Sequence, residues 1–172
     1  MASLGREMPF EAVFILPGTH SKHLDVNPGG IASFRTFMTG ELFDVIGRQS
    51  VLRHSTDPSA PFDRAAFLEG VEESQRRPLT SALFRVRTRQ VLDRKDAASN
   101  TSFLSGLLIG AELGSLHGTA VPLIVAAGER LRTSYAAAAE AMGFAEGFRS
   151  VDSDQLSVLG HRILLQRILS GK

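Results

Sequence analysis

Residues 12–38 read AVFILPGTHSKHLDVNPGGIASFRTFM. The first five are short, almost wholly apolar and stopped by Pro17 and Gly18, which predicts a buried strand entering a turn. His23 to Val26 predicts a return strand. Asn27-Pro28-Gly29-Gly30 is a strong turn signal, and residues 31–38 alternate well enough for a third strand with Phe34, Thr36 and Met38 on one face. Consecutive strands joined by such short turns are expected to pair antiparallel. Thr39 is placed to cap a helix from Gly40 towards Gln49, whose Leu42, Val45 and Ile46 recur at helical spacing and would pack on the new sheet.

Beyond this hairpin region the chain turns helical. Two prolines and small polar residues at 56–61 bar regular structure and mark an internal loop. Helices are expected at about 63–75, 80–92 and 100–116, the last with Leu104, Leu107, Leu108 and Ala111 on one stripe. Gly106, Gly110 and Gly114 lie four apart on it and leave a flat groove that another helix can approach closely, a packing feature first. Val121 to Ala126 is a second short apolar run. It ends at Ala127-Gly128-Glu129 before an alanine-rich helix over 130–142, so the pattern is strand, tight turn, helix. Residues 148–151 read as one more strand. Asp152 or Ser153 then caps a final helix with Leu156, Leu159 and Ile163 inward. The expected class is α/β, a mixed sheet with flanking helices.

Composition narrows the chemistry. With 172 residues, 43% of them apolar and 22% charged, the chain can bury one sizeable core. The absence of cysteine removes disulfides, thiolate metal sites and cysteine nucleophiles. Nineteen basic against eighteen acidic side chains lack the basic excess of nucleic-acid binders, so no nucleic-acid partner is expected. No apolar run approaches the roughly 20 residues of a membrane helix, and residues 1–10 lack the core of a signal peptide. A cytoplasmic protein without a membrane partner is the expectation.

Three turns offer sites. Pro17-Gly18-Thr19-His20-Ser21-Lys22 presents a flexible backbone, two hydroxyls, an imidazole and an ammonium, and its N–H groups can form an anion nest; an ordinary turn is the alternative. It is not a Walker loop, since the glycine spacing and following helix are missing. His20 and His23 lack the further partners a metal site needs, and no metal site is expected. His20 and Ser21 as a hydrolase pair would point to opposite faces of one strand. At Thr39-Gly40 a helix start favours phosphate, with simple capping by Thr39 as the alternative. The turn Ala127-Gly128-Glu129 leaves backbone bare for a planar base, although tight turns alone also select small residues.

Taken together, residues 14–22 (FILPGTHSK), 34–42 (FRTFMTGEL) and 103–112 (FLSGLLIGAE) closely resemble the 2-dehydro-3-deoxygalactonokinases, and the resemblance runs from about Val13 to the end of the chain, thinning between Val51 and Arg94. It implies the C-terminal domain of an actin/hexokinase-like ATPase fold with a ribonuclease H-like core, ATP and Mg²⁺ as cofactors, and a 2-keto-3-deoxy sugar acid as substrate. On that resemblance Gly18, Thr19, His20, Ser21 and Lys22, with Thr39 and Gly40, would hold the phosphates. Ala127, Gly128 and Glu129 would lie at the adenosine, and the final helix with Gly160 near the hinge. The implied reaction is phosphorylation of 2-dehydro-3-deoxy-D-galactonate to its 6-phosphate.

Family members open on an Asp-x-Gly-Thr type loop that this sequence lacks, and the general base is expected in that other half. Residues 1–11 resemble the tail of a preceding domain, and 12–172 a C-terminal nucleotide-binding domain. The competing expectation is an inactive partial domain that folds and self-associates into a homo-oligomer through surfaces its partner would cover.

Overall fold

In the computed structural model, which describes residues 11–170, the hairpin region forms β1 (Ala12–Leu16), β2 (Ser21–Asn27) and β3 (Gly30–Phe37). The pairs β1–β2 and β2–β3 are both antiparallel. The second turn closes as its residues dictate: Asn27 Oδ1 accepts from the Gly29 amide at 2.9 Å, and Gly30 takes a φ of 119° that favours glycine. Residues 1–10, most of the expected remnant of a preceding domain, lie outside the described residues.

After α1 (Thr39–Gln49) and a 3-10 turn at Val51–His54 come α2 (Arg64–Arg76), α3 (Leu79–Leu83), α4 (Arg85–Val91) and α5 (Ala97–Gly114). Then follow β4 (Leu123–Ala127), α6 (Glu129–Ala141), β5 (Phe148–Asp152) and α7 (Ser153–Leu169). The sheet runs β3-β2-β1-β4-β5, with β4 parallel to β1 and β5 parallel to β4. The expected mixed sheet with flanking helices is what forms. One face carries Val13, Ile15, Leu123, Val125 and Ala127 into the main core, beneath Leu113 and Tyr135. The other face carries Ala12, Phe14, Val26 and Ile124 into a smaller cluster, and α7 contacts β4 and β5.

Helix α5 differs from the single stripe expected of it. It is buried on nearly every side, from Ser99 through Leu113, because α2, α1, α3, α4 and α6 all pack around it. Its start is three residues earlier than expected, since Asp96 caps it by accepting from the Ser99 amide at 2.8 Å. The glycine spacing serves the packing it suggested: a Cβ on Gly106 would lie 2.0 Å from the Phe67 carbonyl oxygen of α2, and one on Gly70 2.2 Å from that of Phe103. These two helices touch backbone to backbone.

Three further expectations are corrected. The helix at 80–92 is two short helices that turn at Phe84, which lets Arg89 of α4 reach back to α5. There its guanidinium lies 4.2 Å above the Phe103 ring and pairs with Glu69. Helix α1 turns Leu42, Phe43 and Ile46 not onto the sheet but into a cluster with Phe103, Leu104 and Leu107 of α5, and leaves Val45 exposed. Helix α7 is capped by Asp152 as expected, but none of its residues is buried and Leu159 is 38% exposed.

Candidate functional site

A cleft of about 430 Å³ opens beside the C-terminal end of β1. This is where the sheet changes direction: β2 leaves β1 as a hairpin while β4 lies parallel on its other side, and crevices at such points receive ligands in open α/β sheets. Pro17, Gly18 and Thr19 of the first hairpin form one wall, and Thr39, Gly40 and Phe43 of α1 another. Arg130, Leu131 and Tyr135 of α6 close the third side. A neighbouring depression shares Phe43, Pro58, Arg130 and Leu131 and adds Phe62 and Ser134, so the groove continues past the loop at 56–61.

Two backbones meet at the hairpin wall. The Glu41 amide donates to the Thr19 carbonyl at 2.9 Å, and a Cβ on Gly40 would come within 2.3 Å of the Gly18 carbonyl oxygen. Glycine at position 40 is therefore required by close approach, with the hairpin seated directly on the first turn of α1.

Behind the cleft lies a buried carboxylate. Glu112 of α5 is 3% exposed and accepts from Ser21 Oγ at 2.7 Å, His23 Nε2 at 2.8 Å, Tyr135 Oη at 2.9 Å and Thr39 Oγ1. It joins β2, α1, α5 and α6 through one side chain. Burial pushes its carboxyl upward, but the hydrogen bonds from His23, Thr39 and Ser21 outweigh burial and hold it below the ordinary carboxylate range. His23 Nδ1 has no hydrogen-bond partner, and Nε2 is the ring nitrogen that donates to Glu112. Burial, followed by the Glu112 charge, raises the Tyr135 phenol far above its usual range.

That last shift is directly testable, because Tyr135 is the sole tyrosine. In the unfolded chain a phenol ionises at a pH of about 10, whereas in the folded chain Tyr135 stays neutral well above it. The unfolded state then releases a proton that the folded state retains. Stability is therefore fully present below pH ~10 and falls by about 1.4 kcal/mol per further pH unit until the folded phenol titrates. Urea denaturation across this range checks the slope for the native chain against Tyr135→Phe, and equal slopes would contradict the assignment.

Of the residues expected at phosphate, Gly18, Thr19, Thr39 and Gly40 line the cleft. Ser21 does not; it is fully buried and donates its hydroxyl proton in a hydrogen bond to Glu112. His20 turns outward to Glu41, and the Lys22 ammonium, exposed, donates to the His20 carbonyl at 3.2 Å. Thr39 does not cap α1: the cap position falls on Met38, and the Thr39 hydroxyl goes to Glu112 instead. Of the turn expected at adenosine, Ala127 is core, Gly128 is exposed at the start of α6, and Glu129 lines a separate depression with Arg64 and Arg132. Helix α6 reaches the cleft one residue later, through Arg130 and Leu131.

Sequence reasoning gave Glu112 and Tyr135 no role. A signal for Glu112 was present: it is the one charged residue in the stretch from Ala97 to Gly114, and a carboxylate in an otherwise uncharged helix, flanked by the apolar run at 106–111, has to be paired or exposed. Nothing local marks Tyr135, whose partner lies 23 residues away.

Comparison with known proteins agrees with this architecture. A family model described as 2-keto-3-deoxy-galactonokinase matches residues 2–163. The chain is 39% identical over 149 residues to "Probable 2-dehydro-3-deoxygalactonokinase DgoK1" of Rhizobium meliloti (strain 1021), covering 81% of this chain and 47% of that relative. It is 35% identical over 144 residues to the 2-dehydro-3-deoxygalactonokinase of Escherichia coli (strain K12), covering 80% and 48%. A solved structure from Sinorhizobium meliloti, provisionally described as a 2-dehydro-3-deoxygalactonokinase, superposes with a TM-score of 0.78 at 34% identity, over 89% of this chain and 53% of that one. The chain thus spans about half the length of the relatives it matches. Over that half, from the hairpin at Gly18 to the buried Glu112 and into α7, it belongs to the 2-keto-3-deoxy-galactonokinase family.

Proposed function

We propose that this chain is the nucleotide-binding half of a cytoplasmic kinase that transfers the γ-phosphoryl group of ATP to the terminal hydroxyl of 2-dehydro-3-deoxy-D-galactonate. The observation that carries the reading is the convergence of three turns on one cleft: the hairpin at Gly18 and Thr19, the α1 start at Gly40, and the α6 start at Arg130. The strand order, an antiparallel trio continued by two parallel strands, supports a ribonuclease H-like core and the C-terminal domain of an actin/hexokinase-like ATPase.

In this reading the hairpin backbone and the first turn of α1 hold phosphate oxygens, and the Arg130 guanidinium adds a positive charge. The base lies further along the groove among Phe43, Pro58 and Leu131. Among the described residues no group of three histidines or carboxylates could hold a metal, so Mg²⁺ would be carried by the nucleotide phosphates. Transfer also needs a base to accept the sugar hydroxyl proton, and we assign it to the part of the family's length that this chain does not span.

The test is nucleotide titration of the chain and of Gly40→Ala. The parent is expected to bind Mg·ATP weakly but saturably and to phosphorylate no sugar acid alone. The methyl added at position 40 would overlap the Gly18 carbonyl, so the variant is expected to bind about tenfold more weakly or worse. Equal affinity in the two, or turnover by the chain alone, would contradict the reading.

A second reading, an inactive domain that self-associates, has its own observation. Helix α7 exposes Val158, Leu164, Leu165, Ile168 and Leu169, and β3 exposes Ile31 and Phe34. Contiguous apolar faces of this kind drive association. Sedimentation that shows a monomer at all concentrations would dismiss it.

A further inference from the structure

Among the four groups that donate to Glu112, Thr39 alone is both half-buried and part of the cleft wall. Ser21 and His23 are fully enclosed, and Tyr135 is 1% exposed. A carboxylate accepts hydrogen bonds and a threonine hydroxyl has a single proton to give. A phosphate oxygen is an ionised acceptor as well, but surrendering the proton to it would leave the buried Glu112 charge short of one of its four donors, so Thr39 keeps donating to Glu112 when a ligand arrives. What Thr39 then offers the cleft is lone pairs.

We propose that Glu112 sets the hydrogen-bond sense of the cleft, so that Thr39 meets the ligand only as an acceptor and takes an O–H donor rather than a phosphate oxygen. This rests on the nucleotide reading above and revises one contact within it: phosphate is left to the backbone at Gly18, Thr19 and Gly40. Two parts of a nucleotide complex present O–H donors, the ribose hydroxyls and the water shell of a phosphate-bound cation. Glu112 is a positioning residue, since it acts through Thr39 and does not itself reach the cleft.

The hydrogen-bond network behind this also closes on its own count. Oε1 takes Ser21 and His23, and Oε2 takes Thr39 and Tyr135. If His23 donated from Nδ1 instead, its Nε2 would face Glu112 as a second acceptor, and a buried N–H would be left unpaired. Every proton in the cluster therefore points at Glu112.

Two measurements test this, both on the full chain. The first uses Tyr135 as a reporter, because it shares Oε2 with Thr39 and is the only tyrosine in a chain without tryptophan. Its Raman Fermi doublet is expected to show a strong donor in the native protein and to lose that signature in Glu112→Gln, whose amide can donate back. A native doublet typical of an acceptor overturns the proposal.

The second is calorimetric titration of the native chain and Thr39→Val with ATP, 2′,3′-dideoxy-ATP and inorganic tripolyphosphate, each with and without Mg²⁺. If ribose is the donor, the native chain prefers ATP over the dideoxy analogue by about fivefold, one hydrogen bond's worth, and Thr39→Val loses the preference. If the cation's water is the donor, Thr39→Val instead loses the gain in affinity that Mg²⁺ confers. A loss of metal-free tripolyphosphate binding in Thr39→Val means that Thr39 donates to phosphate, and overturns the proposal. Absence of all nucleotide binding by the native chain removes the nucleotide reading, and the Raman result then decides the sense of the network by itself.

Discussion

Glu112→Ala is expected to lower the stability of the chain by about 3–5 kcal/mol in urea denaturation, the cost of stripping a buried network of its acceptor. The variant leaves two hydroxyls, a phenol and an imidazole N–H aimed at an empty space in the interior. Each unpaired buried donor costs about 1–3 kcal/mol, reduced where a water enters the space the side chain vacates. Glu112→Gln is expected to cost less, about 1–2 kcal/mol, because its carbonyl still accepts and the Thr39 and Tyr135 hydroxyls can rotate to meet its amide. The pH dependence has a defined sign. The Glu112 carboxyl is held below its unfolded value, so its contribution is present above pH ~4.3 and is lost as the pH falls through the folded value. Glu112→Ala should flatten that acid limb. A cost below about 1 kcal/mol would mean that water satisfies the four donors as well as the carboxylate does.

Gly106→Ala should be nearly as damaging, at about 3 kcal/mol or more, for an unrelated reason. The added methyl would sit 2.0 Å from the Phe67 carbonyl oxygen and 3.0 Å from the Val71 amide nitrogen, both backbone atoms of α2 that cannot rotate away. The two helices must separate, and the separation opens space around Phe67, Leu104 and Leu107, which are now fully buried. Gly70→Ala makes the reciprocal collision with the Phe103 carbonyl oxygen and is expected to cost a similar amount. The double variant should cost less than the sum, because helices already pushed apart by one methyl have room for the second. Gly114→Ala is the control. Its methyl would meet only the flexible end of Gln75 at 3.4 Å, so the gain in helix propensity, up to about 1 kcal/mol, offsets the contact. If all three variants behaved alike, the close approach of α2 and α5 would be wrong.

These two predictions fall on opposite sides of what sequence can reveal. The glycine trio was legible because its meaning is carried by spacing within one helix: residues four apart share a face, and removing their side chains makes that face flat. The carboxylate was visible in the same helix yet could not be interpreted, since its partners come from residues 21, 23, 39 and 135 and no local pattern links them.

Local rules therefore accounted for most of the fold. The apolar run stopped by Pro17 and Gly18, the turn at residues 27–30, the loop at 56–61 and the aspartate before α7 each act within a few residues, and each appears where the sequence places it. Family resemblance, carried by residues 14–22, 34–42 and 103–112, was likewise determined by sequence alone. Tertiary structure decided the rest. It broke the helix at Phe84 so that Arg89 could cover Phe103, wrapped α5 on all sides, and turned Ser21 away from the hairpin surface into the core. It also settled what Thr39 does. By sequence that residue was a helix cap; in the fold its hydroxyl is drawn to Glu112, because a buried charge demands every donor within reach and a helix start exposed to a cleft does not.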